Sequence, residues 1–320
     1  MIKNYTRAAR RKAGWIFLKF FTALHGAMPL CAGYLSGHIL GRIAYFAAGR
    51  HRKIAIEGLS IAFKELSLKQ KKQITMDFFI FMAQSAFELL HYSINLDKAK
   101  QAIRIEGDEF LKRALEKGKG AILLTAHLGN FPLLSLRLVR QGYLVNFVAR
   151  PMRDEKTGDY IHELRSHTGI KTIYSYPRRK CINDIITCLK RNEIVLIQMD
   201  QNFGTGGVWV KFFNKLAATP VGPITLALRT KAPIVAAYIH RESLGKHCIR
   251  IFPELDLDHA PEKNETILIN AVKFTRIIEG WIKQFPSQWS WIHRRWKSRP
   301  SEKIKKIKYK IENCCNADII

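Results

Sequence analysis

Residues 121–134 read AILLTAHLGNFPLL. The opening apolar run has the length of a buried strand, it stops at His127, and Gly129 and Asn130 supply a turn. From Phe131 the apolar spacing becomes helical. Pro132 falls in the first helical turn, where its missing N–H removes a donor that the helix leaves unpaired anyway. A strand that runs through a turn into a helix is half of a βαβ unit, and the same grammar recurs downstream. YLVNFVA (143–149), KTIYSY (171–176), EIVLIQMD (193–200) and APIVAAYI (232–239) read as strands, with CIRIFP (248–253) as a later one. Helical stretches separate them at 131–140, 156–167, 180–191 and 221–229, and ETILINAVKFTRIIEGWIKQF (265–285) forms a closing helix. Upstream, residues 51–63 and 68–92 have helical periodicity, with Ser67 as the cap of the second. Strands alternating with helices predict an α/β fold, with a mostly parallel central sheet flanked by helices.

That fold says where chemistry collects, because functional groups gather at the carboxyl ends of the strands of an open parallel sheet. His127, Arg150 and Asp200 each end one of the expected strands and therefore share one rim. An imidazole at such a rim serves as a general base when a carboxylate orients it. Asp200 follows EIVLIQM in the same sheet, so it is expected within direct reach of His127, at roughly 2.6–3.2 Å, or one water away. Glu163 and Asp154 lie in or before a helix and lack that placement. Arg150 presents a permanent cation whose fork matches phosphate or carboxylate. Asn130 in the turn and Gln201 beside Asp200 complete the expected substrate-binding set, and the glycines of FGTGG allow close backbone approach.

The 320 residues are 47% hydrophobic, enough for a substantial core, and Lys and Arg exceed Asp and Glu by 53 to 26, a formal charge of +27. Such an excess points to an anionic partner: nucleic acid, acidic headgroups, an acidic carrier protein or a phosphorylated substrate. The six cysteines have neither paired CxxC spacing nor a disulfide framework, and no His/Cys/Asp cluster has metal-ligand spacing. Reduced thiols and no metal ion are the expectation. Arg7, Arg10, Arg11 and Lys12 precede Phe20–Gly41, which carries no Lys, Arg, Asp or Glu. An uncleaved membrane-associating helix or hairpin with cations on the cytoplasmic side is expected there. The division is residues 1–48 as an anchoring segment, 49–300 as the main domain and 301–320 as a basic tail. WSWIHRRWK (289–297) interleaves tryptophans with cations, as a membrane-interface surface does.

Four blocks, TAHLGNF (125–131), FVARPM (147–152), the run from Met199 to Ser243 and FPSQWSWIHRRWKSRP (285–300), occur in an order that resembles the bacterial lipid A biosynthesis (lauroyl/myristoyl) acyltransferases. These sit within the lysophospholipid and glycerol-phosphate acyltransferase superfamily. The resemblance covers about residues 50–300. It implies a membrane-associated enzyme that moves a fatty acyl chain to a hydroxyl of a glycolipid such as a lipid A precursor. Acyl carrier protein or coenzyme A would bear the chain as co-substrate, with no other cofactor. It also implies anionic membrane lipids as partners, no nucleic acid, and an active site at the cytoplasmic face of the inner membrane. The family pairs a histidine with an acid five residues on. His127 matches the first and Pro132 departs from the second, which leaves Asp200 to supply the acid. The departure also admits a membrane-bound pseudoenzyme, and charge with the Trp/Arg segment alone admits a basic nucleic-acid-binding protein.

Overall fold

The computed structural model describes residue 15 and residues 29–152, 154–204 and 206–300. The expected tail at 301–320 and the start of the expected anchor lie outside the described residues. Helices α1 (Leu30–Ala47), α2 (Gly49–Ala62), α3 (Leu68–Ile94) and α4 (Leu96–Ala102) come first. There follow β1 (Ile103–Glu106), α5 (Asp108–Glu116), β2 (Ala121–Thr125), α6 (Phe131–Arg140) and β3 (Val145–Ala149). Next come α7 (Glu155–His167), β4 (Lys171–Tyr174), α8 (Arg178–Lys190), β5 (Ile194–Gln198), β6 (Val208–Phe212) and β7 (Lys215–Thr219). The order closes with α9 (Gly222–Thr230), β8 (Ile234–Ser243), β9 (Lys246–Glu254) and α10 (Lys263–Gln284).

Seven strands form one sheet in the order β1-β9-β8-β2-β5-β3-β4, parallel except where β8 meets β9. Strand β2 lies at its centre and is buried along its whole length, which is why AILLT is uniformly apolar rather than alternating. Alternate residues feed two cores. Leu123 and Leu196 pack with Leu133, Leu134 and Leu136 of α6 on one face, while Ile122, Leu124 and Val195 pack with α8, α9 and α10 on the other. Beyond the strands and helices read from the sequence lie β1, α4, α5 and the antiparallel β6–β7 hairpin, of which only the first half has a clear apolar run.

Helix α1 lies along α3, and Gly41 sets how close they come. A Cβ there would sit 2.4 Å from Ile80 Cα. The other face of α1 leaves Leu35, Ile39, Ile43 and Phe46 exposed, a spacing that places them in one stripe. No described helix is long and apolar enough to cross a membrane. Ser67 caps α3 in a full capping box with Gln70. Replacing Gly41 with Leu is expected to cost about 1–3 kcal/mol through overpacking. A clear fall in the thermal midpoint should accompany it, while Ile39→Ser on the exposed stripe should leave the midpoint in place. Equal melting of Gly41→Leu and wild type would contradict this packing.

Candidate active site

Strands β2 and β5 are neighbours in register, with Thr125 opposite Gln198. Two residues beyond each, the chain delivers His127 and Asp200 to the same rim. Nδ1 of His127 lies 2.8 Å from Oδ1 of Asp200. The second carboxylate oxygen accepts the His127 backbone N–H at 2.8 Å and the indole N–H of Trp289 at 2.7 Å. An ionised carboxylate can only accept, so Nδ1 carries the imidazole proton and Nε2 keeps its lone pair. The Asp200 side chain is 1% exposed and that of His127 20%. Burial works against the Asp200 charge, but the His127 imidazole and N–H together with Trp289 outweigh it and hold the carboxyl down at about 2.

The turn after His127 is fixed from several sides. Gly129 has φ 63°, and a Cβ on it would sit 1.9 Å from the Ile239 carbonyl oxygen, so no other residue fits this approach. Its N–H donates to the Gln288 carbonyl, and Ser290 N–H donates to the His127 carbonyl. The segment around Trp289 is thereby bound to the turn that carries the histidine. Phe131 packs its ring against the imidazole, centroids 5.1 Å apart. Pro132 stands in the first turn of α6, as its chemistry predicts, and lines the adjoining cavity.

That cavity has a volume of about 2060 Å³ and straddles the carboxyl edge of the sheet. One wing runs beneath α6 and α7 toward α3, past Phe131, Leu136, Phe147, Ile161 and Leu164. The other runs between α8 and α9 toward the start of α10, past Ile182, Ile185 and Leu226 to Arg229, His259 and Lys263. Arg150 and Arg178 stand exposed at its edge, Arg178 over the ring of Phe203. Among the described residues no Asp or Glu lines the cavity.

His127, Arg150 and Gln201 all border the cavity, with Asp200 directly behind the histidine. Asn130 is elsewhere. It is 3% exposed, and its amide donates to the Ser85 carbonyl at 2.9 Å and to Glu88 at 3.0 Å. Glu88, wholly buried on α3, also accepts from Tyr34 of α1, Arg241 and His247. Burial opposes its charge, but His247 and Arg241 hold it at about 2. Asn130 thus anchors the histidine's turn to α3 rather than facing the cavity.

The tryptophans of WSWIHRRWK are not a membrane-interface surface. Trp289 and Trp291 are each 1% exposed and Trp296 8%. Arg295, equally buried, donates to the Ala218 carbonyl and to Thr219, and its guanidinium lies 4.9 Å from the Phe212 ring. His293 accepts the Asn202 N–H through Nε2, and burial draws it down to about 4, against the pull of nearby Asp200. Trp289 is the site residue that the sequence conceals, since nothing in the repeat of Trp and Arg distinguishes an indole that serves a buried carboxylate from one at a surface.

The sequence profile of the bacterial lipid A biosynthesis acyltransferases matches residues 3–298. The chain belongs to that family. It is 25% identical to the lipid A biosynthesis lauroyltransferase of Escherichia coli (strain K12) over 280 residues, 85% of this chain and 88% of that protein. It is also 25% identical over 206 residues to a phosphatidylinositol mannoside acyltransferase of Mycobacterium tuberculosis (strain CDC 1551 / Oshkosh). That match takes in 64% of this chain and spans only 63% of the mycobacterial protein. Among solved structures, the 1-acyl-sn-glycerophosphate (LPA) acyltransferase of Thermotoga maritima is similar at 13% identity and a TM-score of 0.37, over 74% of this chain and 97% of that one.

A carboxyl at about 2 in the folded protein, against an ordinary 3.8, stabilises the fold fully above about pH 4 and ceases to do so as the pH falls toward 2. Denaturant unfolding at about pH 5 and about pH 2 should show wild type losing about 2 kcal/mol that Asp200→Asn does not lose. Identical acid sensitivity of the two proteins would contradict the charge and the burial assigned to Asp200.

Proposed function

We propose that this protein transfers a fatty acyl chain from a thioester, on acyl carrier protein or coenzyme A, to a hydroxyl of a phosphorylated glycolipid at the cytoplasmic face of the inner membrane. The observation that carries this reading is the His127–Asp200 pair opening on a large cavity with apolar wings, cations at its edge and no lining carboxylate among the described residues. Family membership supports it, since the relatives are named for acyl transfer to lipid A and to phosphatidylinositol mannoside.

In this reaction Nε2 of His127 takes the proton of the acceptor hydroxyl as its oxygen attacks the thioester carbonyl. Asp200 fixes the tautomer and stabilises the imidazolium that forms. The new C–O bond gives a tetrahedral oxyanion, which collapses with cleavage of the C–S bond, and the departing thiolate takes the proton back from the imidazolium. Arg150 offers its fork to the acceptor's phosphate, and Gln201 supplies a polar contact at the same rim. The exposed apolar stripe of α1, with Arg42 beside it, suits a helix lying at a membrane surface. Residues 1–48 then serve as the anchoring segment, 49–300 as the acyltransferase domain and the basic tail as a contact for anionic headgroups.

Lipid mass spectrometry of cells with and without the gene tests the reading, and the expected difference is one acyl chain on a phosphorylated glycolipid. His127→Ala should fail to restore it, and Asp200→Asn should lower turnover by a factor on the order of 10³ to 10⁴. Unchanged lipids in the deletion strain, with no transfer by purified protein from any acyl thioester, would overturn the proposal. Arg150→Lys should weaken acceptor use about tenfold, because a point charge cannot replace the bidentate fork. Unaltered acceptor kinetics would remove Arg150 from the phosphate site.

A further inference from the structure

The ends of three neighbouring strands form one side of the cavity mouth. Strands β5, β3 and β4 run parallel in that order, and Ala149 lies opposite Tyr174 where the last two stop. The Ser175 N–H donates to the Ala149 carbonyl, which holds these two exits side by side. Beyond the three strand ends, Met152, Tyr176 and Phe203 all line the cavity. They are large and apolar or aromatic, yet 46%, 74% and 41% exposed. Burial of such side chains drives folding, so three left in water at one edge mark a surface with a use.

The same exits carry charge of one sign. RPM (150–152), SYPRR (175–179) and QNFG (201–204) contain three arginines and no acid. Arg150, Arg178 and Arg179 are exposed, and none forms an ion pair among the described residues. Arg178 lies 5.3 Å from the Phe203 ring, so cation and ring occupy one spot. Behind the rim, Phe147, Ile161 and Leu164 continue the apolar lining into the wing beneath α6 and α7.

Aromatic and apolar side chains interleaved with arginines suit the headgroup level of an anionic bilayer, where rings enter the acyl boundary and guanidinium groups meet phosphates. Arginines alone would suit an acidic protein equally well. The apolar threshold decides for lipid. An acyl chain leaving a bilayer at this rim reaches the apolar wing without passing through water, whereas a route through solvent exposes its methylenes.

We propose that the rim of Met152, Tyr176 and Phe203 with Arg150, Arg178 and Arg179 rests on the surface of an anionic bilayer and admits the lipid acceptor sideways into the cavity. It adds a second contact to the exposed stripe of α1 and sets which edge of the sheet faces the lipid. The inference rests on the acyl-transfer reading, which makes the acceptor a lipid.

Two reporters test it. Tyr176→Trp places an indole at the rim, and Leu144→Trp places one at the opposite edge of the sheet, where β3 begins and Leu144 is also exposed. Full-length proteins are mixed with vesicles of phosphatidylcholine and phosphatidylglycerol in equal parts, with and without bromine on the acyl chains, and the wild-type fluorescence is subtracted. The Tyr176→Trp signal is expected to shift to shorter wavelength and to lose intensity in the brominated vesicles, and the Leu144→Trp signal to do neither. Adding Arg179→Gln to Tyr176→Trp should weaken vesicle binding about fivefold, the share of one surface cation. Quenching of both reporters alike, or of neither, would overturn the inference. So would a Tyr176→Trp signal that responds to acyl carrier protein and not to vesicles. No turnover enters these measurements, so such results leave acyl transfer standing; that reading falls only if purified protein transfers no acyl chain from any thioester, whatever the vesicles show.

Discussion

A carboxylate withdrawn from water is the constraint around which this structure is arranged. Asp200 is charged and almost wholly inaccessible, and a charge in that position is tolerable only if donors replace its hydration. Three donors do so, and they come from distant parts of the chain: the imidazole and backbone N–H of His127, and the indole of Trp289. Satisfying one carboxylate therefore fixes the ends of two central strands, the Gly129 turn and the segment after α10 relative to one another. It also frees residue 132 from carrying an acid, so a proline that suits the start of α6 is admissible there.

Glu88 repeats the solution on the other side of the turn. It too is buried and charged, and Tyr34, Asn130, Arg241 and His247 surround it. Through Tyr34 it ties α1 to α3, and through Asn130 it ties α3 to the turn that holds His127. The helix with the exposed apolar stripe is thus joined by two hydrogen bonds and one carboxylate to the site. In the proposed function, the surface that meets lipid and the group that moves the proton share one rigid frame.

Much of this was legible in the sequence, for identifiable reasons. Strands β2, β3, β5 and β8 are largely buried and separated by helices, so their apolar runs locate them. The rule that functional groups cluster at the carboxyl rim puts His127 and Asp200 on one edge, and the fold adds that their strands, β2 and β5, are neighbours. Short β1 carries too few residues for a period to register, and the β6–β7 hairpin is half concealed because Leu216 is the one large apolar side chain of KLAAT. The tryptophan segment misleads, since amphipathic composition is the same whether the rings face lipid or a buried carboxylate. Asn130 appears as a site residue from its place beside the histidine, and only the fold reveals that its amide points to Glu88.

The central claim is that Asp200 holds His127 in the tautomer with its proton on Nδ1. Nitrogen-15 NMR of histidine-labelled protein, with the His127 signals assigned through a His127→Gln variant, tests it without reference to any substrate. At neutral pH the account predicts a low-field, slowly exchanging proton on Nδ1 of His127 in wild type and its loss in Asp200→Asn. A wild-type His127 with its proton on Nε2, or a spectrum unchanged by Asp200→Asn, would contradict it.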